Sequence, residues 1–587
     1  MSFTFEKNDV GTGSIPEGST GSSQQMPAPI SGAQWLLLLA VLVVLCGLRF
    51  VHLGADMPGW LRSFSAGEFV DEGYKTLSPR NLALYGKTHW HELDNYTGWM
   101  ETSPITNWSY FGAFKAFGVE LESARAVTIA FYIAFLLACL WALRDRYTFP
   151  VLLTGLAMVA IDPALFAFSR VALIEVPMVL FIYGWLLVFV RRAEGAIWLP
   201  LVAALVTAPF LTEGIKRSAL VYLAPMIGAL LFRAALLRGL FRSHRTVAWL
   251  GLAVLAIGTL LFATRGTWLR RFDANPLGYL TNVLTNPIVQ VTPFLFLTGW
   301  LCALHLLLSR PAEVLQSGFR TAIVGLVLLG PLALGFFPYD PPRYYVPMLP
   351  AFAMAIWEWL GLKPWKAPIT QSKWLLAIGF AGVLVWFVLA ARAVNFMVLM
   401  NLPLEMGDHP GLGDKAVVYA SLLPAAIAAG LFLAFRKHPS PTFTARVAVL
   451  GSVSLLFVVA FVRISAFLLH PSYESHQVRA AIARTAPADS VVIGDWAPFF
   501  TLGTELRALY MADSFNPVSR ITDLRPDYFL HSETTASRES LAGFGELGGV
   551  RLGSPILNTQ YRRWKMTLYP IHYDTGPGEG RSDLRNP

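Results

Sequence analysis

The sequence predicts an all-α polytopic membrane protein of about 13 transmembrane helices, closed by a small C-terminal α/β domain outside the membrane. Three observations predict it. Apolar runs of about 20 residues, the length that spans a bilayer, recur along most of the 587 residues. Hydrophobic residues make up 55% of the chain and charged ones 14%, with a mean hydropathy of +0.51, which excludes an ordinary soluble globule. From about residue 467 the pattern changes to short strand-like runs between polar stretches, the mark of a soluble domain.

Residues 1–33 are rich in Gly, Ser, Pro and Gln without apolar periodicity and read as a disordered cytoplasmic tail. The run from Trp35 to Leu53 is long enough to span, and no small-residue cleavage site follows it, so it reads as a signal anchor. A loop of about 70 residues comes next, Gly54 to about Ser123 (54–123), with Trp60-Leu61 and Trp108–Phe117 suited to the membrane interface. Further spans are expected near 124–143, 149–168, 171–190, 196–211, 218–237, 246–264, 291–309, 321–338, 344–361, 374–393, 415–435 and 445–466. Residues 34–466 thus form the transmembrane domain and 467–587 the soluble one. In the latter, Glu474–Arg484 reads as a helix, and Val491–Ile493, Tyr528–Leu530 and Trp564–Tyr569 read as strands or strand-like runs.

The formal charge of +9 does not point to nucleic acid, because Lys and Arg cluster in short loops between apolar runs, where they set orientation. Arg144 and Arg146, Arg191 and Arg192, Arg233 through Arg245, Arg310 and Arg320, Lys363 through Lys373, and Arg436 with Lys437 all fall on one side, which is then cytoplasmic. The loop 54–123 and the C-terminal domain fall outside. Arg49 disagrees, lying at the outer end of the first span. Cys46, Cys139 and Cys302 sit inside apolar runs without metal spacing and read as small core residues.

Asp71 and Glu72, in Phe69-Val70-Asp71-Glu72-Gly73-Tyr74, put two adjacent carboxylates within a few residues of a span. That is costly unless they meet a cation, a metal or a reacting group. They are the candidate site of chemistry. Several cations break the topological bias on the same side: Arg265, Arg270 and Arg271, Arg343 ahead of Tyr344, and Lys75 and Lys87 in the acidic loop. An anionic ligand on the outer face explains them as a set, since a guanidinium fork donates two parallel hydrogen bonds to phosphate; for any one alone, lipid headgroups or helix ends serve as well. Arg170 and Glu175, five apart at a tight reversal, either pair with each other or face the Asp71 loop. His89, His91, Glu92 and Asp94 could hold zinc or manganese, or be ordinary loop polarity. The charges gather at one membrane face rather than at mid-depth, and no pair of broken helices repeats in two halves. Both facts weigh against the alternative of a polytopic transporter or lipid-linked sugar flippase.

An ordered set of residues resembles the GT-C glycosyltransferases, closest to the group of protein O-mannosyltransferases and lipid A aminoarabinose transferases. The set is Asp71-Glu72-Gly73-Tyr74, Arg80 through Gly86, Ser103-Pro104, Arg125, Ser169-Arg170 through Glu175-Val176-Pro177, and Arg343-Tyr344-Tyr345-Val346-Pro347. The layout covers residues 35 to about 466, and Asp489–Asp495 with Leu524–Asp527 resembles the outer domain of bacterial members. The resemblance implies a plasma-membrane enzyme that moves a sugar from a polyprenyl-phosphate carrier to an acceptor hydroxyl on a glycan, lipid or protein, with inversion. By position it makes Asp71 the catalytic acid/base, Glu72 its neighbour in substrate placement, and Arg170 and Glu175 the second wall. Arg343, Tyr344, Lys75, Lys87 and the Arg265/Arg270/Arg271 group would hold the donor and its phosphate. Two positions depart from the pattern. Glu175 stands where an Asp is common, and Phe210-Leu211-Thr212-Glu213-Gly214 lacks the Lys that many relatives carry before the Gly; either Lys216 supplies that charge or the donor pocket differs.

Overall fold

The computed structural model describes residues 29–58, 67–96, 103–192, 196–216, 218–237, 291–335, 342–362, 441–512, 515–562 and 564–574. The predicted spans at 246–264, 374–393 and 415–435, and Arg265, Arg270 and Arg271, lie outside them.

The helices begin with α1 (Gly32–Gly47), closed at its N-terminus by a reciprocal Ser31–Gln34 capping box. In the predicted loop the chain forms α2 (Gly67–Tyr85) and α3 (Pro104–Phe117). The bundle continues through α4 (Leu121–Leu143), α5 (Phe149–Ile161), α6 (Pro163–Phe168), α7 (Glu175–Arg192), α8 (Leu199–Gly214) and α9 (Ala219–Leu237). It is completed by α10 (Pro293–Ser309), α11 (Pro311–Gln316), α12 (Gly318–Gly335), α13 (Leu349–Leu360) and α14 (Pro441–Leu469). The run expected as one span at 149–168 is two helices, because Pro163 lacks an N–H and Asp162 turns to cap the second, accepting from Leu165 N at 2.9 Å. The run at 344–361 likewise opens as a 3₁₀ turn, Pro342–Met348, before α13.

Among the described residues, Leu121–Leu143 and the stretch from Val449 whose apolar part lies in α14 are long and apolar enough to cross a membrane by length and composition, with shorter apolar helices beside them. They pack into one continuous core, α4 on α7, α9 on α12 and α10 on α13. Arg49 is fully buried in it. Its guanidinium donates to Ser169 Oγ, Leu45 O and Ala160 O at 2.6–2.9 Å and lies 4.5 Å from the Tyr132 ring. The cation that opposes the charge bias thus has a packing role.

The C-terminal part holds α15 (Glu474–Thr485), β1 (Val491–Gly494), α16 (Ala497–Phe500), β2 (Arg507–Tyr510), α17 (Ile521–Leu524), β3 (Tyr528–Ser532), α18 (Thr535–Phe544), β4 (Val550–Leu552), β5 (Leu557–Tyr561) and β6 (Trp564–Tyr573). The sheet runs β2-β1-β3-β6-β4, with β5 also on β6; β1 is parallel to β2 and β3, and β6 is antiparallel to its neighbours. A shared core of Tyr110, Phe114, Leu121 and Ala172 with Val478, Phe499, Phe500 and Tyr561 joins this domain to the bundle. At α2 the two parts meet backbone to backbone. A Cβ at Gly73 would collide with the backbone of Phe499, so only glycine lets the helix meet α16 there.

Candidate active site

Helix α2 carries the acidic pair despite Gly73 and Pro79 in its interior, because tertiary contacts fix it along its length. The fully buried Arg80 donates to Thr501 O at 3.2 Å and to Leu506 O, and Tyr74 stacks on Tyr510 at 5.0 Å. Successive helical residues point about 100° apart, so Asp71 and Glu72 meet different walls.

Glu72 turns to the bundle. Arg125 Nε and Nη2 grip its two oxygens at 2.9 and 2.7 Å, and the Ala172 amide donates to Oε1 at 2.7 Å. Arg125 Nη1 continues to Leu53 O and Ala55 O at 2.7 and 2.5 Å. A doubly gripped carboxylate on a 0%-exposed side chain is a mounting point for α2. Asp71 turns to a second wall, made by segments that are remote in sequence. The Arg343 guanidinium from the 3₁₀ turn pairs with its carboxylate, and Arg343 Nε lies 3.5 Å from Glu175 Oε1 at the start of α7. Lys216, just past α8, donates to the same Glu175 oxygen at 2.6 Å and sits 4.4 Å from the Tyr344 ring centre. Lys75, one helical turn beyond Asp71, completes the group. Burial first, then the neighbouring Lys216 ammonium, holds Lys75 well below the usual lysine value. Burial and the Asp71 charge push the Tyr74 phenol well above its usual value.

Asp71, Lys75, Glu175, Lys216, Arg343 and Tyr344 therefore meet in one place. The other candidates do not. Arg170 and Glu175 do not pair: Arg170 donates to the carbonyls of Leu48, Arg49, Val51 and His52 at 2.6–3.3 Å, closing the chain that follows α1. Lys87 is exposed and makes no ion pair among the described residues. The His89–Asp94 cluster does not converge on a metal position, and among the described residues no group of three or more His, Cys, Asp or Glu does. Its groups are spent locally. His89 Nε2 is 2.6 Å from Tyr96 O, His91 Nδ1 accepts from Leu93 N, and Asp94 accepts from Tyr96 N and Asn516 Nδ2.

Sequence reasoning missed the supporting wall from the C-terminal domain, Tyr510, Phe499 and the carbonyls that hold Arg80. The available signal was Arg80 itself, a cation in the middle of an otherwise apolar and polar-neutral turn.

No protein-family model and no curated protein matches the sequence. Among solved structures, ArnT from Cupriavidus metallidurans in the apo state is similar over 92% of this chain and 98% of its own, at 13% identity and a TM-score of 0.50. The same protein bound to undecaprenyl phosphate is similar over the same shares, at 14% identity and a TM-score of 0.49. At such identity the likeness is one of fold: this chain shares the overall fold of that protein.

Proposed function

We propose that the protein is a membrane glycosyltransferase that moves a sugar from a polyprenyl-phosphate carrier to an acceptor hydroxyl at the outer face of the membrane, with inversion. The observation that carries this reading is the meeting of two carboxylates, Asp71 and Glu175, with Lys75, Lys216 and Arg343 in a single buried group.

Asp71 is the catalytic residue. It takes the proton of the acceptor hydroxyl as that oxygen forms a bond to the anomeric carbon, and a general base of this kind contributes about 10²- to 10⁴-fold. The bond from the anomeric carbon to the phosphate oxygen breaks, and its electron pair leaves with the carrier phosphate. Lys75, Lys216 and Arg343 offset the charge that grows there, and they do so more strongly in a dry site than in water. Glu175 positions Lys216 and Arg343. Because Arg343 engages Asp71 before substrate arrives, the donor phosphate displaces the carboxylate from the guanidinium and frees it to act as base. Glu72 and Arg125 are positioning residues that fix the pitch of α2.

The test is sugar release from a panel of labelled polyprenyl-phosphate sugars by the full protein in liposomes, wild type beside Asp71→Asn. Turnover of one donor, abolished in the variant, is the expected result and names the sugar. Movement of the lipid between leaflets in both proteins, without turnover, would overturn the enzyme reading in favour of a flippase.

A further inference from the structure

A cavity of about 560 Å³ opens on the far side of α2 from Asp71, where the start of α4 meets helix α15 and the loop after α16. Its walls include Phe117, Glu120, Glu122, His476, Arg479 and Gly503. The surroundings place it at the water boundary of the bundle. Phe117, at the end of α3, is 77% exposed, and Leu121 begins the spanning helix α4 just beyond.

The floor is a buried cation. Arg479 is 6% exposed, and its Nε and Nη2 have no hydrogen-bond partner among the described residues. Its guanidinium rests 5.7 Å from the Phe499 ring centre, an apolar support. Leaving buried guanidinium N–H groups unmade is expensive, and native proteins keep such groups where a ligand completes them. The rim has the opposite sign. Glu120 and Glu122 stand two residues apart, and each lies against a glycine. A Cβ at Gly503, whose φ is +77°, would come 2.5 Å from Glu120 Oε2, and one at Gly54 would collide with Glu122 Oε1. Both glycines are thus needed for the carboxylates to sit where they do. Burial and the neighbouring Glu122 charge raise the Glu120 carboxyl above its usual value, while Arg479 and His476 oppose that shift. His476 Nε2 is 2.9 Å from Gly54 O and 3.7 Å from Glu122 Oε1, which fixes the outer edge.

A simple anion is a poor occupant, because two carboxylates would repel it; a simple cation would meet Arg479. A ligand with both signs satisfies both walls. We propose that this cavity binds a phosphate ester bearing an ammonium group, as in the headgroup of a zwitterionic amino-phospholipid, with the phosphate on Arg479 and the ammonium between Glu120 and Glu122. The lipid is the favoured source, since the cavity lies where headgroups lie and the exposed Phe117 ring offers an apolar flank to the first acyl carbons. The occupant would tie α4 to α15 behind the helix that carries Asp71. The site stands on its own residues and holds whether or not the protein transfers sugar.

The experiment is thermal unfolding of the purified full-length protein in detergent, titrated separately with dioctanoyl phosphatidylethanolamine, dioctanoyl phosphatidylglycerol and free phosphoethanolamine. Wild type is expected to gain Tm with the ethanolamine lipid and not with the glycerol lipid. Arg479→Gln should bind about tenfold more weakly or worse, the worth of a charge-assisted hydrogen bond. Glu120→Gln with Glu122→Gln, on the rim, is the second variant, and it should lose the preference for the ethanolamine lipid even if Arg479→Gln fails to fold. An equal gain from free phosphoethanolamine would keep the chemistry and assign it to a soluble ligand. Equal gains from both lipids, no gain from any probe, or gains unchanged in the variants would overturn the proposal.

Discussion

The two ends of the helical bundle hold nearly the same set of charges in different surroundings. At one end are Asp71 and Glu175 with Lys75, Lys216 and Arg343; at the other are Glu358 and Glu313 with Arg146, Arg310 and Arg320. Arg343 and Glu358 are separated by about 20 Å of helix rise. In the second set Glu313 is 42% exposed, the three guanidiniums reach solvent at 14–19%, and only Glu358 is dry. Glu358 accepts from Arg320 at 2.6 Å, from Arg146 and from Tyr147, so it is saturated. In the Asp71 set every side chain is at most 9% exposed, and Glu175 Oε2 has no hydrogen-bond partner among the described residues. Water shares the charge at one end and is excluded from it at the other. A cation that has already given up its water meets an incoming phosphate at low dielectric, which suits transition-state stabilisation; a hydrated cluster suits holding helices together.

Substitutions can break this contrast. The largest effect on turnover is expected for Asp71→Asn, which should lower turnover per folded molecule about 10²- to 10⁴-fold. Donor turnover, scaled to the folded fraction read from thermal unfolding of the same sample, checks it. Glu358→Gln should spare turnover. Removing one partner of a buried ion cluster costs about 3–5 kcal/mol, so stability should fall while turnover per folded molecule holds. A loss of turnover matching that of Asp71→Asn would erase the distinction between the two ends.

Lys75 sharpens it. Its value lies well below that of an ordinary lysine, and an anionic phosphate favours its charged form. Above the lowered value binding therefore takes up a proton, and it tightens as pH falls toward that value and levels off below it. A polyprenyl-phosphate sugar is a diester with no ionisation of its own in that range, so the slope of Kd against pH reports Lys75, and Lys75→Met should flatten it. The smallest effect is expected for Glu313→Gln. An exposed partner is worth about 1 kcal/mol or less, and neither Tm nor turnover should move appreciably.

How much of this was legible in the sequence differs residue by residue. The apolar periods located α4, α7, α9, α10 and α14, since burial in the bundle and in lipid demands them. The Asp71-Glu72 pair stood out because carboxylates beside a span are costly. What did not show was the division of labour between them, which depends on Arg125 and Arg343 arriving from positions 53 and 272 residues away. The reading of 54–123 as loop missed α2 for a related reason. Gly73 and Pro79 lower its intrinsic helicity, and the contacts that override them come from α3, from Arg125 and from the C-terminal domain. Arg170 was read as part of the site, yet nothing local in the sequence reveals that the carbonyls after α1 would claim it.

The bare backbone contact between Gly73 and Phe499 has a consequence for how the molecule is made. The two residues are synthesised 426 positions apart, which at 5–20 residues per second is roughly 20 to 85 s of translation. Throughout that interval the α2 segment lacks the surface it leans on, so the pocket is finished only by the last fifth of the chain. A ribosome that stops early would leave an inserted but idle protein, and a nascent chain halted before residue 497 should show no turnover until the missing domain is supplied.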